Sequence, residues 1–495
     1  MKRFYAQYKD ELDKLKHGSL LSAYIWKAIL AQISFSYLFQ LGQSMWKVRS
    51  LNITLDSYKS ELPVEPYKQS YSGKTIGACT IVTLVLSACS SIPAGSNNTA
   101  RMMEPTNVPV HFDAASYTDF DDYIQKTKQH LSAFKVYFQE EEADSELTAA
   151  MPFKRYPTEQ CKTAERSSLG IVLIHGLSDV PAIMSDLADA YADRCFTVYS
   201  ILLPGHGARS SELVNVTAND WLAAAQFAVE KLSEKVDKVY VGGYSLGGLI
   251  AFKTALDNKR VAGVFGFSPA LSLHRPGLLN QTIWLRKIFD WLDKDPQDDA
   301  WRLEAMPFNA LAETQILSNT VQKELSIRPL QTPVFIAHSQ DDAVVDAIAN
   351  QNLFNSFMPN SRNRIVDYTA NVSTNEAIRW PRLIQKSSVL LDQKILSYSH
   401  QAIHVAPDND RYGAKGVLRN CSVNAGNQDI STMKACYSDE IPYRGEVFGN
   451  ATARYKEYGV DGVVRLTYNP QFNELLEMID EFLLSLGNLE GSARS

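Results

Sequence analysis

The chain is poor in several things that would each mark a class of function. It has no surplus of basic residues: 49 Lys and Arg stand against 55 Asp and Glu, a net charge of −6. Proteins that bind nucleic acid carry a basic footprint, so nucleic acid is not an expected partner. Cysteine is sparse, with six residues, and none falls in a CxxC or Cys/His spacing that would hold zinc. No metal or organic cofactor is expected. No solenoid repeat or heptad run is present, and no apolar stretch is long enough to span a bilayer comfortably, which takes about 20 residues. What is present is 45% apolar and 21% charged residues, the balance of a globular protein that buries a real core. The length allows one large domain or two to three ordinary ones.

Residues 74–89 have a different character. Lys74 precedes an apolar run from Thr75 to Leu86, which leaves through Leu86-Ser87-Ala88-Cys89. A positive charge, a short apolar core and a small-residue exit make the pattern of a secretory signal. The Leu-Ser-Ala-Cys ending resembles the lipobox of bacterial lipoproteins. That resemblance implies a signal peptide over 62–88, cleavage before Cys89, lipid attachment to its sulfur and export to the cell envelope. Ser90, where Asp would signal retention, favours the outer membrane of a double-membraned bacterium. The membrane is then a partner through Cys89, because several acyl chains anchor a protein stably. The plainer reading of the same run is a buried strand or helix whose cysteines are small hydrophobes.

Residues 1–61 precede this signal. Leu20, Leu21, Tyr24, Ile25, Ala28 and Ile29 recur at helical spacing, but Lys27, Gln32 and Gln40 interrupt the stripe. We read 1–61 as an N-terminal extension upstream of the true start of translation, with an amphipathic membrane-surface helix as the rival. Residues 89–110, rich in Ser, Ala, Gly, Asn and Pro, read as a tether. Residues 111–160 read as a helical lead-in, with a helix over 117–139 and a first strand within 151–157. Setting aside Cys79 and Cys89, the even set Cys161, Cys195, Cys421 and Cys436 fits two disulfides with three possible connectivities. Pairing sequence neighbours gives Cys161–Cys195 and Cys421–Cys436.

From Leu169 the chain alternates short apolar strands with amphipathic helices, which predicts an α/β fold with a mostly parallel sheet covered on both faces. The strand at 169–174 runs into His175-Gly176-Leu177-Ser178, and the strand at 196–203 into Pro204-Gly205-His206-Gly207. Thr217 and Asp220 form a capping box ahead of an apolar helical stripe. The strand at 236–242 leads into Gly243-Tyr244-Ser245-Leu246-Gly247 and then directly into a helix. Gly-x-Ser-x-Gly between strand and helix is the setting of a nucleophile elbow, where backbones approach too closely for side chains. A serine hydroxyl needs a base and an orienting carboxylate, and in such an elbow they follow in the order Ser, acid, His. The acid should end a late strand, and the strand at 333–338 leads into Asp341-Asp342-Ala343-Val344-Val345, with Asp346 next. Only His400 and His404 follow it. Oxyanion donors are expected at the N–H groups of Leu246, after the serine, and Leu177, after the first core strand. His175 and His206 lie in tight turns and read as structural.

These motifs resemble the α/β-hydrolase superfamily, specifically its monoacylglycerol lipase, carboxylesterase and serine aminopeptidase-like branch, over residues 170–482. The resemblance implies the α/β-hydrolase fold and hydrolysis of carboxylic esters or some amides without a cofactor. It selects Asp342 as the acid, two residues before the Val-Val pair, leaving Asp341 and Asp346 as surface or cap residues. It also favours His400 over His404. Two departures stand out within 161–495: an insertion at about 271–330, with a helix expected over 282–293 as a helical cap, and a disulfide-pinned excursion at about 405–465. The expected activity is therefore cleavage of a small-molecule or lipid ester by Ser245, Asp342 and His400 through an acyl-enzyme. An amidase or peptidase of the same fold, and a non-catalytic lipoprotein binding lipid or protein, are the alternatives. Asp in place of Ser245 would mark a dehalogenase or epoxide hydrolase, which this chain is not expected to be.

Overall fold

The segment Leu169–Ile174 is apolar at nearly every position because the strand it forms is buried throughout, with neighbours on both faces. The computed structural model describes residues 96–159, 161, 168–295, 297, 299–373, 382–418, 442–460 and 462–487. All but Ser96 belong to one unit, Asn97–Ser495. Eight strands build its main sheet: β1 (Phe153–Arg155), β2 (Leu169–Ile174), β3 (Phe196–Ile201), β4 (Lys238–Tyr244), β5 (Val261–Phe267), β6 (Val334–Ser339), β7 (Arg364–Thr369) and β8 (Leu383–Ser387). Their spatial order is β1-β3-β2-β4-β5-β6-β7-β8. Only β1 runs antiparallel to its neighbour; the others pair in parallel. The chain turns back from β2 to β3 and then crosses to β4, so the switch point lies between β2 and β4. In open sheets of this kind, ligands sit beyond the carboxyl ends at that point. This is the α/β-hydrolase fold.

Successive strand residues serve opposite cores. Val172 and Ile174 join Val241 and Ile336 under the helices Ala218–Ser233, Leu246–Asp257, Phe308–Ile327 and Ala347–Phe357. Ile171 and Leu173 join Tyr240 and Phe335 under the helices Ser185–Asp193 and Phe472–Ser485. The helix Ala218–Ser233 begins with the expected capping box, in which the Asp220 carboxylate also accepts the N–H of Phe112. That bond ties the segment before the sheet to its core.

Several boundaries differ from the sequence reading. The tether expected over 89–110 is helical at Ser96–Met103, with Met102 buried and Asn98 donating to the carbonyls of Tyr137 and Phe138. The lead-in at 111–160 is part of the same body, since its β1 closes one edge of the sheet and Tyr123 donates to the carbonyl of Leu202. In the expected cap, the helix is Pro276–Leu285, not 282–293: Pro276 starts it, and Ile288 and Trp284 face outward. The later part of 271–330 is the helix Phe308–Ile327, which packs in the main core through Ala310, Leu317, Val321 and Leu325. The inserted part is therefore shorter, ending before Phe308. In the excursion, β9 (Arg444–Gly445) and β10 (Val464–Arg465) form a small parallel pair. A disulfide joins Cys161 to Cys195, a separation of 34 residues. Cys89, the signal at 62–88, the extension at 1–61, Cys421 and Cys436 lie outside the described residues.

Candidate active site

The site grows from the elbow after β4. Ser245 has φ 53° and ψ −115°, a conformation that L residues rarely adopt. Its neighbours make the turn possible. A Cβ on Gly243 would lie 2.3 Å from the Gly247 carbonyl carbon, and one on Gly247 would lie 2.0 Å from the Ile174 oxygen. The strained residue is held by its own backbone: Ser245 N–H donates to Phe267 O at 3.0 Å, and Ala270 N–H donates to Ser245 O at 2.9 Å. The hydroxyl is thereby lifted off the sheet at the mouth of the switch point.

Two further loops meet it. Past β6, the Asp342 carboxylate is buried, and its Oδ1 accepts the N–H groups of Val344 and Val345, both at 2.8 Å. Its Oδ2 lies 2.6 Å from His400 Nδ1, and His400 Nε2 lies 2.9 Å from Ser245 Oγ. Burial alone would raise the Asp342 pKa; the neighbouring imidazole and the two backbone N–H groups outweigh it and hold the carboxyl below its ordinary value. With Nδ1–H donated to that carboxylate, Nε2 is left as an acceptor for the serine hydroxyl. A chain of this kind can draw a proton off the hydroxyl as its oxygen attacks.

The alternatives settle into other duties. Asp341 pairs with Arg454 at 2.7 Å and accepts the Ser388 hydroxyl, while Asp346 caps the helix Ala347–Phe357 through Ala349 N–H. His404 is fully buried and stacks on the Tyr244 ring, centroids 4.0 Å apart. Burial, with His400 close by, pushes its pKa down to about 3. His175 accepts Leu203 N–H on Nε2 and donates from Nδ1 to the Gly176 carbonyl, bracing the turn after β2. Leu246 opens the helix Leu246–Asp257, so its N–H is among the four without a partner inside the helix. Leu177 lies three residues past β2, the strand whose Ile174 pairs with Gly243. Leu177 and Leu246 thus follow the ends of two adjacent parallel strands, β2 and β4.

Sequence reasoning missed four residues around this centre. Tyr244 lies beneath both histidine rings, its centroid 5.0 Å from that of His400. His274, from the inserted segment, meets the Asp342 carbonyl through Nε2 at 2.9 Å. Asp179 is buried beside Arg302 of the same insertion, at 3.4 Å, and burial raises its pKa to about 6 against the pull of that guanidinium. Glu446, from the excursion, accepts the main-chain N–H of His400. All four act across long sequence separations, and only Tyr244 lies inside a motif, as the residue before Ser245. The small apolar exit of β4 into Tyr244 was the single signal on offer.

The model of the family described as Hydrolase_4, serine aminopeptidase S33, matches residues 166–369. That span holds Ser245 and Asp342 and ends before His400. A thermostable monoacylglycerol lipase from Bacillus sp. (strain H-257) is 29% identical over 110 residues, which is 22% of this chain and 44% of that protein. The match therefore spans less than half of that relative's length. Among solved structures, a monoacylglycerol lipase from Paleococcus ferrophilus is similar at 18% identity and a TM-score of 0.37, over 44% of this chain and 88% of its own. Est1E from Butyrivibrio proteoclasticus, solved with ferulic acid, is similar at 19% identity and a TM-score of 0.35, over 44% and 85%.

Proposed function

We propose that this protein is a serine hydrolase that cleaves carboxylic ester bonds through an acyl-enzyme on Ser245. The observation that carries the reading is the continuous hydrogen-bonded chain from Ser245 Oγ through His400 to Asp342, with links of 2.9 and 2.6 Å. Ser245 Oγ attacks the acyl carbon while its proton passes to His400 Nε2. The N–H groups of Leu177 and Leu246 receive the charge that develops on the carbonyl oxygen. The imidazolium, steadied by Asp342, then protonates the departing alcohol, and water repeats the attack to free the acid and restore the serine. The monoacylglycerol lipase from Bacillus favours an ester, while the family description favours a peptide bond as the second reading.

The deciding experiment incubates the purified protein with a fluorophosphonate probe and with matched esters, amides and peptides of graded acyl length. Labelling at Ser245 with faster turnover of esters is the expected result. Labelling with preferential peptide cleavage would move the assignment to the second reading. Absence of labelling would leave a binding protein built on a hydrolase scaffold. We further propose that the protein works at the cell envelope, tethered by a lipidated Cys89, which rests on the signal-like run at 74–89. Intact-mass analysis of membrane-extracted protein checks this: a chain starting at Cys89 with added acyl mass is expected.

A further inference from the structure

The excursion that follows His400 carries a buried carboxyl group at Glu446, 0% exposed. Its Oε2 accepts two main-chain N–H groups from different loops, His400 at 3.2 Å and Ala343, the residue after Asp342, at 3.4 Å. Its Oε1 accepts the N–H groups of Val447 at 2.9 Å and Phe448 at 3.3 Å. Burying such a group is costly unless its oxygens find donors, and here all four donors are backbone. If filling space were the only need, an apolar side chain would do so at lower cost.

The segment that brings Glu446 there is itself locked to the histidine loop. Leu396 N–H donates to Arg444 O at 2.9 Å, so residues 444–446 run beside 395–400. Glu446 N–H donates to Ser397 Oγ at 2.8 Å, and the Tyr455 hydroxyl donates to Glu446 O at 2.6 Å. The Ser397 and Tyr455 hydroxyls are 2.6 Å apart. Only glycine fits at 445, where a Cβ would lie 2.6 Å from the Tyr455 hydroxyl and 2.7 Å from Ser397 Oγ.

We propose that Glu446 is a positioning residue: it clamps the His400 loop to the Asp342 loop and so sets the alignment of the imidazole between Asp342 and Ser245. This inference rests on the triad reading above. It gives the excursion a role in turnover, and it predicts a loss in kcat with little change in KM. A misplacement of about 1 Å in such a site can cost on the order of a hundredfold in rate.

The test uses the full chain as wild type, Glu446→Gln, Tyr455→Phe and the double variant. It measures kcat and KM on a short-chain p-nitrophenyl ester, the rate constant of fluorophosphonate labelling, and the thermal midpoint. In Glu446→Gln one oxygen becomes an amide that cannot accept, so two of the four bonds are lost. Folded Glu446→Gln is expected to label completely but at least about tenfold more slowly, with kcat lowered in step and KM within about twofold. Tyr455→Phe should lose less, and the double variant should be little worse than Glu446→Gln alone, because both act on one clamp. Labelling and kcat within twofold of wild type in folded Glu446→Gln would overturn the proposal. Should that variant not fold, an unchanged kcat in folded Tyr455→Phe overturns it equally. A wild type that does not label at Ser245 overturns the triad reading and this inference with it.

Discussion

Ser245 is asked to be two things that conflict. Its φ of 53° costs of order 1–3 kcal/mol for a residue with a Cβ, and the bonds from its N–H to Phe267 O and from Ala270 N–H to its carbonyl sustain it. Among the described residues the hydroxyl has one side-chain hydrogen-bond partner, His400 Nε2, and packing makes no other demand on it. Ser245→Ala should therefore abolish ester turnover while leaving the unfolding free energy from urea titration within about 0.5 kcal/mol of wild type. Persistent turnover in a purified, folded Ser245→Ala protein would remove the serine from the mechanism. Asp342→Asn makes a sharper test of the assigned roles. Its amide would offer donors where His400 Nδ1–H needs an acceptor, favouring the wrong tautomer and lowering kcat by about 10⁴. The same change at Asp341, which holds Arg454, should alter kcat less than about threefold while weakening one partly buried ion pair.

Single elements show where the sequence could be read and where it could not. The strands β2, β3 and β4 were legible because central parallel strands are nearly continuous apolar runs, and the elbow because its glycines are demanded by backbone contact. Ser245, Asp342 and His400 could be named from motif and chain order, yet their distances are set by loops joined far apart in sequence. The helix Phe308–Ile327 was not legible. Its buried face includes Glu313, Thr314, Gln315 and Ser318, so it shows little hydrophobic periodicity. Most of those polar groups are engaged: Glu313 pairs with Arg286 and accepts Ala218 N–H, Thr314 donates to Ala310 O, and Ser318 donates to Leu271 O. Gln315 donates to Asn319, but its Oε1 has no partner among the described residues. In the insertion, the apolar positions Trp284 and Ile288 point outward, which misplaced the expected helix by about two turns. Two predictions belong at this scale. Gly247→Ala sets a methyl against the Ile174 carbonyl, and because backbone cannot yield cheaply, a loss of at least about 3 kcal/mol is expected in urea unfolding. Breaking Cys161–Cys195, with Ser at both positions, releases a loop of 34 residues and should lower stability by about 3–4 kcal/mol on the chain-entropy model. A double variant as stable as wild type would mean that the described contacts of β1 and β3 already fix that edge.

For the molecule as a whole, the buried histidines decide the acid limit. His175, His206 and His404 are all depressed by burial, His206 to about 4 and His404 to about 3, while unfolded chains protonate histidine near 6.5. Between these values the unfolded state binds protons that the folded state refuses. The stability these groups confer is thus complete above about pH 6.5 and is lost as pH falls towards the folded values. Asp179 works the other way: with its pKa raised to about 6, the folded state gains a proton first and is favoured below that pH. Asp186, also raised by burial, adds to Asp179, but the three histidines oppose both, so folding stability should fall as the pH drops below about 6.5. Urea unfolding followed from pH 7 to 4.5 measures this slope directly. His404→Phe isolates one proton of it, since both ring nitrogens lack a partner among the described residues and a phenyl ring can keep the stack on Tyr244. The variant should be more stable than wild type at pH 5, with a slope shallower by about 1.4 kcal/mol per pH unit. An unchanged slope would mean that His404 takes up its proton in the folded protein. The Tyr244 stack would then have to tolerate a charged imidazolium beside His400, and the acid slope would rest on His175 and His206.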